Sequence, residues 1–191
     1  MPAVIQAALA HAQFETIHPF TDGNGRTGRS LMHAMLRHRG VTSKVTVPVS
    51  AGLLANVHAY HESLTAYRSG DPEAIVNLCS EASLLAIENG TRLVQDIQAV
   101  TDSWRDRIKA RSDSAVWPVL DLLARQPVVN TQSLESLGLD YPRLHRAMTA
   151  LTEADVVIGV NKYKKGRFWR APEILTALDN FAARAGNRLN P

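Results

Sequence analysis

One cysteine in 191 residues, Cys79, excludes an internal disulfide, and its place in a helical-looking apolar stretch beside Leu78 marks it as a core residue and not a nucleophile. No apolar run approaches the roughly 20 residues that a membrane span requires, and the opening Met1-Pro2-Ala3-Val4 lacks a basic leader region. A cytoplasmic protein without a membrane partner is therefore expected. Internal repeats, low-complexity tracts and a lysine-bearing phosphate loop are also missing. Hydrophobic residues make up 45% of the chain, enough to bury a core in one domain or two small ones.

What is present is concentrated in residues 18–29, His-Pro-Phe-Thr-Asp-Gly-Asn-Gly-Arg-Thr-Gly-Arg. His18 can take a proton, Asp22 can hold a divalent cation, and Gly23 and Gly25 let the backbone turn its N–H groups towards an anion. Arg26 and Arg29 have the geometry to clamp phosphate oxygens. No structural role accounts for all of these residues together, and the stretch reads as a phosphate site.

Two other readings of the stretch fail. Gly23-Asn-Gly25-Arg-Thr-Gly28 satisfies G-x-G-x-x-G, but a dinucleotide fingerprint follows a strand and is answered by a carboxylate about 20 residues on. Here a helix is expected before it, and Lys44 to Pro48 supplies no carboxylate. A calcium loop beginning at Asp22 and Asn24 would place Arg26 and Thr27 at its fifth and sixth positions, and no glutamate closes it.

The spacing of Val4, Ile5, Ala8, Leu9 and Ala12 predicts a helix from Pro2 to about Ile17, ended by Pro19, which disfavours helical geometry in the residue before it. A second helix should run from about Gly25 to a cap at Gly40, so that the loop meets a helix N-terminus, where unpaired N–H groups and the macrodipole favour an anion. After an extended piece at Val45 to Val49, Ser50 is read as capping a helix to Tyr67, ended by Gly70. Asp71-Pro72 then starts one long helix or two stacked ones reaching beyond Ile97.

Charge shifts along the chain. Residues 1–100 hold 7 Lys/Arg against 8 Asp/Glu, net −1, and residues 101–191 hold 14 against 10, net +4. A boundary is placed in the charged stretch 101–113, read as an exposed helix end or linker between a module at 1–100 and another at 114–191. In the second module Val116–Leu123, Thr131–Leu137 and Tyr141–Leu151 read as helices. Strands at Val156–Ile158 and Phe168–Arg170 flank a basic tip, and a helix from Pro172 to about Ala185 closes the chain. Three helices and a basic hairpin match a winged helix-turn-helix, giving a mainly α protein with a small α+β part. Lys162, Lys164, Lys165 and Arg167, with Arg143, His145 and Arg146, would neutralise DNA phosphates; a solvated face is the alternative. Trp117 and Trp169 are expected in the core. His58-x-x-His61 has metal-ligand spacing but no evident third ligand.

His-x-Phe-x-Asp/Glu-Gly-Asn-Gly-Arg-x-x-Arg is the signature of the Fic domain family, and residues 18–29 resemble it at every fixed position. The preceding Ala10-His-x-x-Phe-Glu-x-Ile17 and the later Tyr60 to Leu64 and Ser69-Gly-Asp71 are similar to that family too, so the resemblance covers about residues 1–100. It implies a helical bundle and transfer of AMP from ATP, with Mg²⁺, to a Ser, Thr or Tyr hydroxyl of a target protein. By the same resemblance His18 is the general base and Asp22 the metal ligand. Gly23, Asn24 and Gly25 cradle the phosphates through backbone N–H groups and the Asn24 amide, and Arg26 and Arg29 hold the outer phosphates.

Family members carry a flap and supporting helices ahead of the motif. With Met1 only 17 residues before His18, these are expected to be missing. The family's inhibitory Ser/Thr-x-x-x-Glu-Gly/Asn element has no clean copy, since Ser83 to Glu88-Asn89 is one residue too long and Thr149 to Glu153 is followed by alanine. Control by a partner or another segment is the implication. The competing expectation is a non-catalytic module that binds nucleotide, DNA or protein through an incomplete Fic core and the winged helix.

Overall fold

A computed structural model describes residues 1–43, 46–54, 56–160 and 167–185. The chain is mainly helical with one small sheet, and it divides into two units, Met1–Arg92 with the chain from Phe181, and Leu93–Asn180. No helix among the described residues is long and apolar enough to cross a membrane.

The first unit begins with α1 (Ala3–Ile17) and α2 (Asn24–His38), joined by the loop that carries the motif. Ala7, Ala8 and Ala12 of α1 are buried with Met32 and Leu36 of α2, and small residues on α1 let the two backbones approach closely. The tightest point is Gly28. A Cβ there would lie 2.6 Å from Glu15 Oε1 and 2.9 Å from His11 Nδ1, so only glycine fits. Gly40, with φ of +72°, follows the end of α2 as expected of a left-handed cap.

The helix expected from Ser50 to Tyr67 is instead two, α3 (Val49–Leu54) and α4 (Val57–Arg68). Asn56 begins the second by accepting the Ala59 N–H at 3.0 Å, a local side-chain bond that competes with a continuous helix. Val49, expected to be extended, is helical and buried, and Val45 lies outside the described residues. Asp71 accepts the Glu73 N–H at 2.9 Å and opens α5 (Glu73–Arg107), a single helix of 35 residues. Cys79 is buried in this unit's core with Leu64 and Ile75.

In the second unit α6 (Val116–Arg125), α7 (Thr131–Glu135) and α8 (Tyr141–Glu153) fall close to their expected places. Asn130 and Asp140 cap the last two through the N–H groups of Ser133 and Arg143, each at 2.8 Å. Strand β1 (Val128–Asn130) is an addition to the sequence reading. It pairs antiparallel with β3 (Phe168–Arg170), which also pairs with β2 (Ile158–Val160), giving the order β1-β3-β2. The second strand thus starts two residues later than expected, because Val156 and Val157 turn inward and are wholly buried. Helix α9 (Pro172–Arg184) closes the chain. Trp104, in the stretch read as exposed or linking, is fully buried and its indole N–H donates to Glu173, which also pairs with Arg107 at 2.7 Å. Trp117 and Trp169 are half-buried against the same core.

Candidate functional site

Helix α1 ends at His18, which takes a left-handed conformation (φ 50°, ψ 56°) while its N–H still bonds Phe14 O at 2.9 Å. A non-glycine residue rarely adopts this geometry, and here Pro19 excludes the right-handed helical alternative. The consequence is an abrupt turn that leaves the His18 side chain 62% exposed at the mouth of the loop.

Asn24 fixes the loop behind it. Its Oδ1 accepts the Phe20 N–H at 3.0 Å and its Nδ2 donates to Phe20 O at 2.6 Å, a reciprocal pair that treats Phe20 as a strand neighbour would. At 3% exposure the amide faces inward, and both of its polar atoms shape the loop through the Phe20 backbone. Phe20 is half-exposed and meets Phe14 with ring centroids 6.1 Å apart, so it is held by its backbone as much as by its ring.

The anion cradle is the start of α2. Thr27 N–H makes the first helical bond, to Gly23 O at 3.0 Å, so the N–H groups of Asn24, Gly25 and Arg26 precede the ladder and point out of the helix end. Gly23 begins the turn with φ of +85°, which a side chain resists. Gly25 matters through what lies beside it: a Cβ there would be 3.3 Å from Arg29 Nη1, so the Arg29 guanidinium folds along the first turn.

Asp22 and Arg26 are both exposed, at 90% and 77%, and pair at 3.4 Å, while Asp22 Oδ1 accepts the Gly23 N–H at 2.6 Å. An ion pair so open to water is weak and readily separated. The loop therefore brings together an imidazole, a carboxylate, two guanidiniums and a helix N-terminus within 12 residues. Those groups can bind a polyphosphate, hold a cation against it and accept a proton beside it.

Residues 1–36 match the model of the Fic/DOC family. The chain is 36% identical over 81 residues to a protein adenylyltransferase Fic of Nematostella vectensis, covering 41% of this chain and 18% of that protein. It is 34% identical over 87 residues to one of Culex quinquefasciatus, covering 44% and 16%. A probable protein adenylyltransferase of Aquifex aeolicus (strain VF5) is 50% identical over 38 residues, covering 20% and 12%. The chain thus spans less than a fifth of the length of these curated relatives.

Under the loop of residues 18–24 lies a polar cluster that the sequence reading passed over. His11 is buried, with Nε2 2.8 Å from the Tyr60 hydroxyl, and burial lowers its pKa from 6.5 although the Glu15 carboxylate opposes the shift. Burial also pushes the Tyr60 hydroxyl up to about 12, with Glu15 adding to the effect. Glu15 itself is buried, and its Oε2 lies 4.0 Å from His18 Nδ1. The available signal was spacing, since positions 11, 15 and 18 fall on one helical stripe that leads to His18.

The other expected residues are dispersed. His58 pairs with Glu62 at 3.2 Å, and no group of three metal-ligating side chains exists among the described residues, so the His58-x-x-His61 spacing makes no metal site. Arg143 and Arg146 are exposed but donate to the Asp113 and Pro142 carbonyls, and Lys162, Lys164 and Lys165 lie outside the described residues. Cys79 is inert: burial pushes its thiol up to about 11.

Proposed function

We propose that the Fic loop is the active site of a Mg²⁺-dependent adenylyltransferase that moves AMP from ATP to the hydroxyl of a Ser, Thr or Tyr side chain on a target protein. The observation that carries this reading is the gathering of His18, Asp22, Arg26 and Arg29 around the open N-terminus of α2. In it His18 removes the hydroxyl proton, which an imidazole near neutral pH can do. The oxygen attacks the α-phosphorus, and pyrophosphate leaves. The N–H groups of Asn24 and Gly25 receive phosphate oxygens, and Arg26 and Arg29 align the outer phosphates, with bidentate geometry favouring arginine.

The donor set fits Mg²⁺. That ion is commonly held by one or two carboxylates, completed by substrate phosphates and water, and Asp22 is the loop's exposed carboxylate. When bound, the ion would neutralise charge on the phosphates. The Asp22–Arg26 pair implies that nucleotide binding separates them, the carboxylate turning to the metal and the guanidinium to phosphate.

For residues 93–180 the order α6, β1, α7, α8, β2, β3 supports a winged helix-turn-helix reading. Control by an inhibitory segment or partner and a cytoplasmic location belong to the same proposal. A binding experiment with a transfer experiment tests the catalytic reading. His18→Ala should bind ATP with Mg²⁺ as wild type does, by calorimetry, and transfer no label from ATP labelled at the α-phosphate. Equal transfer by wild type and His18→Ala would remove His18 from the chemistry.

A further inference from the structure

Glu15 is the only buried carboxylate among the described residues, and its position is costly. Its Oε1 is inaccessible to water and lacks a hydrogen-bond partner, and so is His11 Nδ1. Both atoms close on the same point, 2.6 and 2.9 Å from where a Gly28 Cβ would stand, so Gly28 makes the space that Glu15 occupies. The other oxygen, Oε2, reaches outward to 4.0 Å from Nδ1 of His18. At that distance the two are not hydrogen-bonded, and the exposed His18 ring has room to turn towards the carboxylate.

We propose that Glu15 is the positioning residue of His18: its carboxylate accepts the Nδ1–H, which leaves Nε2 as the lone-pair nitrogen facing the loop. This rests on the reading of His18 as the base. In the transfer step the target O–H proton passes to His18 Nε2, and the oxygen's electron pair forms the bond to the α-phosphorus. The bond from that phosphorus to the bridging oxygen breaks, and its pair leaves with pyrophosphate. The imidazolium so formed has its Nδ1–H against the Glu15 carboxylate, which offsets the new positive charge.

The groups facing Glu15 are His11 and His18 from its own helix and its end and Tyr60 from α4, and Arg29 of α2 acts electrostatically on the same His11 and Tyr60. His11 is unsuited to serve as the base, because it is buried and spends Nε2 on Tyr60. His18 alone of the two imidazoles is open to substrate.

The test uses Glu15→Met, which removes the acceptor at similar volume, and Glu15→Gln, which keeps a neutral one. Nitrogen NMR of the neutral His18 ring in the unliganded chain should show protonated Nδ1 in wild type and Glu15→Gln. A shift towards protonated Nε2 is expected in Glu15→Met. In the transfer assay Glu15→Met should lose kcat on the order of 10²-fold with KM for ATP unchanged, and Glu15→Gln should recover part of the loss. Combining Glu15→Met with His18→Ala should cost nothing beyond His18→Ala alone. An unchanged His18 tautomer in Glu15→Met overturns the proposal. If wild type transfers no AMP, the catalytic reading fails, and the tautomer measurement still decides the Glu15–His18 contact.

Discussion

Adding one methyl group at Gly28 and one at Gly90 should move stability in opposite directions, although both glycines lie in helices. Glycine to alanine in an open helix interior gains about 1 kcal/mol from propensity alone. Gly90 has no atom within 4 Å of its would-be Cβ, so Gly90→Ala should be stabilised by about that amount. At Gly28 the new carbon would stand 2.6 Å from Glu15 Oε1, 2.9 Å from His11 Nδ1 and 3.1 Å from His11 Cε1. Those side chains are buried, and His11 is tied to Tyr60, so neither can step aside freely. Overpacking of this kind costs about 1–3 kcal/mol, which leaves Gly28→Ala less stable than wild type by about 1 kcal/mol after the propensity gain. The two variants should therefore differ by about 2 kcal/mol. Urea unfolding followed by circular dichroism reads this as midpoints on either side of wild type. A Gly28→Ala midpoint at or above wild type would refute the close α1–α2 approach and, with it, the confinement of Glu15 beneath the loop.

Burial lowers the His11 pKa below 6.5, so between those values the unfolded chain binds a proton that the folded one does not, and stability must fall as pH drops below about 6.5. The urea midpoint of His11→Asn should fall less over the same range; His33, lowered by burial in the same sense, accounts for part of what remains. Asn24→Ala breaks the two bonds to Phe20 and should destabilise by about 1–3 kcal/mol while weakening ATP binding, read by unfolding and by calorimetry. Cys79 should resist a thiol reagent at about pH 8 in the native chain and react on addition of urea; rapid native labelling would contradict its burial.

Where the sequence carried strong local chemistry, it foretold the fold. Pro19 after His18 ended α1, the glycines at 40 and 70 took positive φ, and Asp71 opened α5, each through a rule acting over two or three residues. The site was legible for the same reason, because residues 18–29 combine side chains that no packing demand would assemble. What escaped depended on contacts between distant or very short segments. Strand β1 is three residues long and exists because β3 pairs with it, a partnership about 40 positions away. The break at Asn56 depends on one side-chain bond in an otherwise helical pattern. The bonds between the Asn24 amide and the Phe20 backbone appear only once the loop has closed. Glu15 was hidden by its type, since a glutamate on a helix is ordinarily solvated, and Gly28 makes its burial possible from another helix.

In the proposed reaction this loop transfers the adenylyl group of ATP with His18 as base. Parallel reactions with ATP labelled at the α- or the γ-phosphate, with Mg²⁺, wild type or His18→Ala, and a cell lysate, test it directly. Protein labelling that is lost in His18→Ala is expected from the α-position alone. Labelling from the γ-position that is lost in His18→Ala would mean phosphorylation, and no His18-dependent labelling from either would contradict the catalytic reading of the chain.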